Sequence, residues 1–146
     1  MAEIDPELGE RLLEMYRNAE KVQVYLKGLI PTYALISSKD LPEDADLGPV
    51  FSLGGGLAEF IFVCEDITPE KYRKYEAFHE AVELLHGDHS YAIEKEFEAV
   101  DEDMDNNELA EFCHWRFQAL QDPSLDELAK MVSPRIQRII EEYQKR

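Results

Sequence analysis

The chain has 146 residues, with fifteen basic against thirty-two acidic side chains and a formal net charge of −17. Such a field repels phosphate backbones and anionic lipid, which excludes nucleic acid and acidic membrane surfaces as partners and leaves basic proteins or cations. No run approaches the roughly 18 apolar residues of a membrane span, the N-terminus lacks a secretory pattern, and Cys64 and Cys113 are too few for a disulfide framework, so a soluble, cytoplasmic protein is expected.

At 45% apolar residues, a chain of this length can bury one core without staples, and residues 1–146 read as a single domain. Asp5 is a natural N-cap with Pro6 at the first helical position. After them Leu8, Leu12, Met15, Ala19, Val22, Leu26 and Leu29 step by fours and threes, which predicts one long helix stopped by Gly28 and Pro31, its seam lying against the domain's own core. "TYALISS" and "LAEFIFVC" are rich in β-branched and aromatic residues and are separated by loop-like stretches. They predict a sheet of two or three strands within residues 32–66. The Gly-rich "LGGGLAEF" lacks both the G-x-G-x-x-G spacing and a P-loop lysine, and reads as a hairpin tip. Thr68 is expected to cap a helix running from Pro69 to His86, and a helical pattern continues to the C-terminus. There Ser124 and Glu127 form a capping box, and Ser133 with Pro134 starts a last helix burying Ile136, Ile139, Ile140 and Tyr143. The fold class is helix-dominated α+β.

Three of the four histidines fall in "FHEAVELLHGDH", residues 78–89. At about 100° per residue, Tyr75, Phe78, Val82 and Leu85 make a buried stripe, with Glu76, His79, Glu83 and His86 in a second stripe beside it. His79 and Glu83 are four apart, the spacing at which two side chains on one helical face can hold the same ion, and Glu80 stands where a general base for a bound water would be. His86 lies one turn on, and His89 follows a break at Gly87; either could supply a further ligand.

"HEAVELLHG" resembles the H-E-x-x-H helix of gluzincin-type metallopeptidases, most nearly the minimal ones of the IrrE and ImmA type. The resemblance implies zinc as the divalent metal, His79 as first ligand and Glu80 as the base. It implies Glu108 or Glu111, in "NNELAEF", as a later ligand, and Glu83 stands where that family has its second histidine.

Other readings stand beside this one. Glu76–His79, Glu83–His86 and Glu111–His114 each place an acid three residues before a histidine, a spacing that also makes simple intrahelical pairs. The same motif suits a di-iron bundle in which Glu76 with His79 and Glu111 with His114 would face Glu14 and one of Glu94, Glu96 or Glu98. Cys113, Phe112, Trp115 and Phe117 read as core or near-core residues. Between Glu94 and Glu111 nine acidic residues have Lys95 as their only local counter-charge, a face that could engage a basic protein as inhibitor or immunity-type proteins do, without catalysis.

Overall fold

The computed structural model describes residues 6–42, 47–55, 58–119 and 132–144. The elements in chain order are α1 (Pro6–Asn18), β1 (Glu20–Gln23), β2 (Thr32–Ile36), a 3-10 turn (Ser38–Asp40), β3 (Val50–Gly55), β4 (Ala58–Cys64), α2 (Glu70–His86), α3 (His89–Asp103), α4 (Asn106–Ala119) and α5 (Pro134–Gln144). This is a helix-dominated α+β domain, as expected. Among the described residues no helix is long and apolar enough to cross a membrane.

The sheet has four strands rather than two or three, in the order β1-β2-β4-β3. The β2–β4 pair is parallel, and the β1–β2 and β3–β4 pairs are antiparallel. The extra strand comes from the segment read above as helix. Helix α1 ends at Asn18, and the chain then runs as β1 into a two-residue turn in which Leu26 and Leu29 exchange both backbone hydrogen bonds, at 2.9 and 3.0 Å. Lys27 and Gly28 hold that turn with φ of 50° and 84°, the left-handed pair that suits a tight hairpin. The physical reason is a period of two: Val22, Val24 and Leu26 alternate with polar or exposed residues, and β-branched side chains favour the pleated strand over the helix.

Alternation along the strands gives the sheet two apolar faces. Ala34, Ile36, Phe51, Phe62 and Cys64 face α1 through Leu12, while Tyr33, Val50, Ile61 and Val63 face α2 through Ala77. A second core lies beyond α2, where Tyr75, Phe78 and Val82 meet Ile93, Phe97 and Val100 of α3, Phe112 of α4, and Ile136 and Ile140 of α5. Helix α2 is therefore a buried middle layer, and this explains why some of its polar residues are buried.

Further departures have local causes. Thr68 does not cap α2: its buried hydroxyl donates to the Pro49 carbonyl at 3.4 Å, while Pro69 at the cap position has no side-chain bond to give. Leu85 is 61% exposed, because the last turn of α2 runs out toward the Gly87 corner. Ser133 does cap α5, accepting from the Ile136 amide at 3.4 Å, and Ile139 is only partly buried. Asp5 and the Ser124–Glu127 box lie outside the described residues, as does the Tyr143 side chain.

Candidate functional site

Four ionisable side chains meet where α2, α3 and α4 touch. Glu76 and His79 come from α2, Glu96 from α3 and Arg116 from α4, and none is more than 4% exposed. Each sits one helical step from apolar core residues, so that packing of the neighbouring stripe carries it inside. Arg116 grips Glu96 with both arms of its fork, Nε to Oε2 at 2.9 Å and Nη2 to Oε1 at 3.3 Å. His79 Nδ1 meets the same Glu96 Oε1 at 2.7 Å.

The two carboxyls divide their roles. Burial, then the charge of Glu96, push the Glu76 pKa well above the usual carboxylate range, whereas Arg116 and His79 overcome burial and hold that of Glu96 well below it. Glu76 is thus the neutral member and Glu96 the ionised one. Glu76 Oε1 lies 3.6 Å from Arg116 Nε and is the one buried side-chain oxygen among the described residues without a hydrogen bond. Cys113, beside the network, is inert, its thiol pushed up to about 12 by burial and the Glu96 charge.

From His79 the arrangement continues outward. Its Nε2 is 3.4 Å from Glu83 Oε2, and the same oxygen is 3.2 Å from His89 Nδ1. The two imidazole rings stand edge to face with centroids 5.0 Å apart. His89 reaches this place because Gly87 ends α2 in the left-handed region, with φ of 67°, and its amide bonds the Glu83 carbonyl at 2.7 Å. Asp88 then caps α3, accepting from the Tyr91 amide at 3.2 Å, and α3 doubles back with His89 as its first residue.

His79, Glu83 and His89 bring one ligand atom each to within 4.8 Å of one another. A tetrahedral ion with ligand bonds of about 2.1 Å separates its ligand atoms by about 3.4 Å, close to the two distances to Glu83. Burial would lower the His79 pKa, but hydrogen bonds to Glu83 and Glu96 raise it to about 10, and the bond from His79 lowers that of Glu83 to about 2.

Glu80 points toward the sheet instead. Ser52 of β3, itself buried, donates to Glu80 Oε2 at 3.2 Å. Burial, aided by the Glu83 charge and opposed by His79, raises the Glu80 pKa to about 7. Gly54 helps set this spacing, because a Cβ there would meet Leu84 Cδ2 of α2 at 2.6 Å.

The remaining candidate ligands fall elsewhere. His86 packs edge to face on Tyr91, centroids 4.7 Å apart, and both line a cavity of about 340 Å³ that His79, Glu83 and His89 do not line. Glu108 closes a capping box with Asp105, whose Oδ1 accepts from the Glu108 amide at 2.8 Å while Glu108 Oε1 accepts from the Asp105 amide at 3.2 Å. Glu111 is exposed and pairs with Lys71 at 3.1 Å. The di-iron set is not assembled either: Glu14 is on α1, across the sheet from α2, and both Glu14 and His114 are exposed.

Glu96, which the sequence offers both as a di-iron candidate and as part of an acidic face, lies fully buried. Its neighbours in that stretch meet cations from distant parts of the chain: Glu102 and Asp103 meet Lys27, Asp101 meets Arg135 and Glu111 meets Lys71. Arg116 is not among the residues that the sequence pattern suggested. The available signal was a lone arginine one step from Phe112 and Cys113 in an otherwise apolar face. No protein-family model, curated protein or solved structure matches this chain.

Proposed function

We propose that this protein binds one divalent cation, zinc being the expected ion, through His79 Nε2, Glu83 Oε2 and His89 Nδ1. The observation that carries the reading is the mutual approach of these three donors to within 4.8 Å, two of them presented by one helix and the third by the Gly87 corner. Two imidazoles and one carboxylate suit zinc, and three protein ligands leave a position for water or a substrate oxygen, the arrangement of catalytic rather than structural zinc sites. A hydrolytic role would fall to Glu80, which adjoins His79 in the chain and would have to turn from its Ser52 contact toward a water on the ion.

The test is equilibrium dialysis of the metal-stripped protein against zinc. One equivalent per chain is expected, lost in His79→Ala and His89→Ala but kept in His86→Ala and Glu111→Ala. Failure of the wild-type protein to take up an equivalent, or equal loss in His86→Ala, would overturn the assignment. The alternative of an acidic face recruiting a basic protein has less support, since Asp101, Glu102, Asp103 and Glu111 meet cations of the same chain. Most of these pairs are solvent-exposed and contribute little to stability, but they occupy the charges such a partner would need.

A further inference from the structure

We infer that Glu96, clamped by Arg116, is the positioning residue of the proposed cation site and fixes which nitrogen of His79 faces the ion. The inference rests on the cation-site reading and adds to it two residues from separate helices. A neutral imidazole has one N–H and one lone pair, and only the nitrogen bearing the lone pair can ligate. His79 places Nδ1 2.7 Å from Glu96 Oε1 and Nε2 3.4 Å from Glu83 Oε2. The two Arg116 donors occupy one oxygen each of Glu96, so the carboxylate serves His79 as an acceptor. Nδ1 must then be the N–H, and the lone pair falls on Nε2, facing Glu83 and, beyond it, His89.

The same contacts fix the ring's direction as well as its tautomer. Glu96 is fully buried and Arg116 is 2% exposed, and a bidentate fork leaves the carboxylate little freedom to rotate. A carboxylate behind a ligating histidine raises the basicity of the ligand nitrogen, and losing it typically weakens metal binding by about 10–100-fold. Glu76, on the same helix as His79, lies 3.6 Å from Arg116 Nε through its Oε1.

The experiment uses the full chain with Co²⁺ as a visible substitute for zinc, measuring affinity by chelator competition and ligand geometry by the d–d absorption bands. Glu96→Gln keeps the side chain's length while removing its charge. It is expected to bind one Co²⁺ about 10–100-fold more weakly, with shifted bands and a retained far-UV circular dichroism spectrum. Arg116→Lys keeps the charge but loses the fork, and is expected to show a smaller shift in the same direction. Glu96→Gln or Arg116→Lys that lowers the melting temperature yet leaves affinity and bands unchanged would assign the pair to folding alone and overturn the inference. Wild-type protein that binds no Co²⁺ would remove the cation site and the inference together, whereas wild-type binding with unaltered variants removes only the inference.

Discussion

Replacing Arg116 with methionine tests whether the buried network contributes to the stability of the fold. The side chain is 2% exposed and supplies both hydrogen bonds that bracket Glu96, which is itself fully buried. Methionine fills much of the volume, so the cavity contribution is small, and the cost is that of a buried carboxylate left with His79 as its remaining cationic partner. Breaking a buried pair in this one-sided way typically destabilises by about 3–5 kcal/mol. For a chain of this length that lowers the melting temperature by roughly 6–20 °C, at about 2–4 °C per kcal/mol. The assay is urea unfolding of metal-free protein at pH 7, with the slope checked to be unchanged so that the midpoint reports stability. Adding Glu96→Leu to Arg116→Met should recover most of the loss, because removing both members of a buried pair is often nearly neutral. A single variant within about 1 kcal/mol of wild type would show that the network carries no such weight.

Metal-free protein should also lose stability as pH rises from about 6.5 to about 10. His79 holds its proton more tightly folded than unfolded, despite burial, so its contribution is complete below pH 6.5 and is gone above pH 10. The shift corresponds to at most about 5 kcal/mol at 1.36 kcal/mol per unit, and His79→Asn should flatten that limb in urea titrations across the range. Glu83 works in the opposite sense: its lowered pKa gives stability that is present above pH 4.5 and lost as pH falls toward 2. Gly87→Ala, at a left-handed corner, should cost about 1–2 kcal/mol in thermal unfolding, and weaken zinc binding through His89; unchanged affinity would place His89 outside the site. Glu80→Gln should keep one equivalent of zinc while any hydrolytic turnover falls by at least about a hundredfold, and equal turnover in peptide, ester and amide assays would remove Glu80 from the chemistry.

The His79–Glu83 half of the candidate cluster was legible in the sequence, because it is made by spacing along one helix. His79 and Glu83 share a face by the fourfold step, and the break at Gly87 marked where the chain could bring His89 back. The choice of His89 over His86 depends on the angle of the α2–α3 corner, which no periodicity encodes. Arg116 was missed, and Glu96 stood only as one of three di-iron candidates and as part of an acidic stretch, for a related reason. Glu96 sits among exposed acids in sequence, and only the packing of α3 and α4 on α2 shows that it faces inward to a distant arginine. The N-terminal region failed differently: Met15, Ala19, Val22, Leu26 and Leu29 satisfy a helical spacing, while Val22, Val24 and Leu26 satisfy a strand spacing. The Lys27–Gly28 turn decides between them by pairing β1 with β2.

The most direct measurement is X-ray absorption at the zinc edge on protein loaded with one equivalent and washed free of excess. The account predicts a first shell of three protein ligands, two imidazole nitrogens and one carboxylate oxygen at about 2.0–2.1 Å with one further light atom, and no zinc retained after washing in His89→Ala. A shell of oxygens alone, a sulfur ligand, or a spectrum unchanged by both His79→Ala and His89→Ala would contradict it.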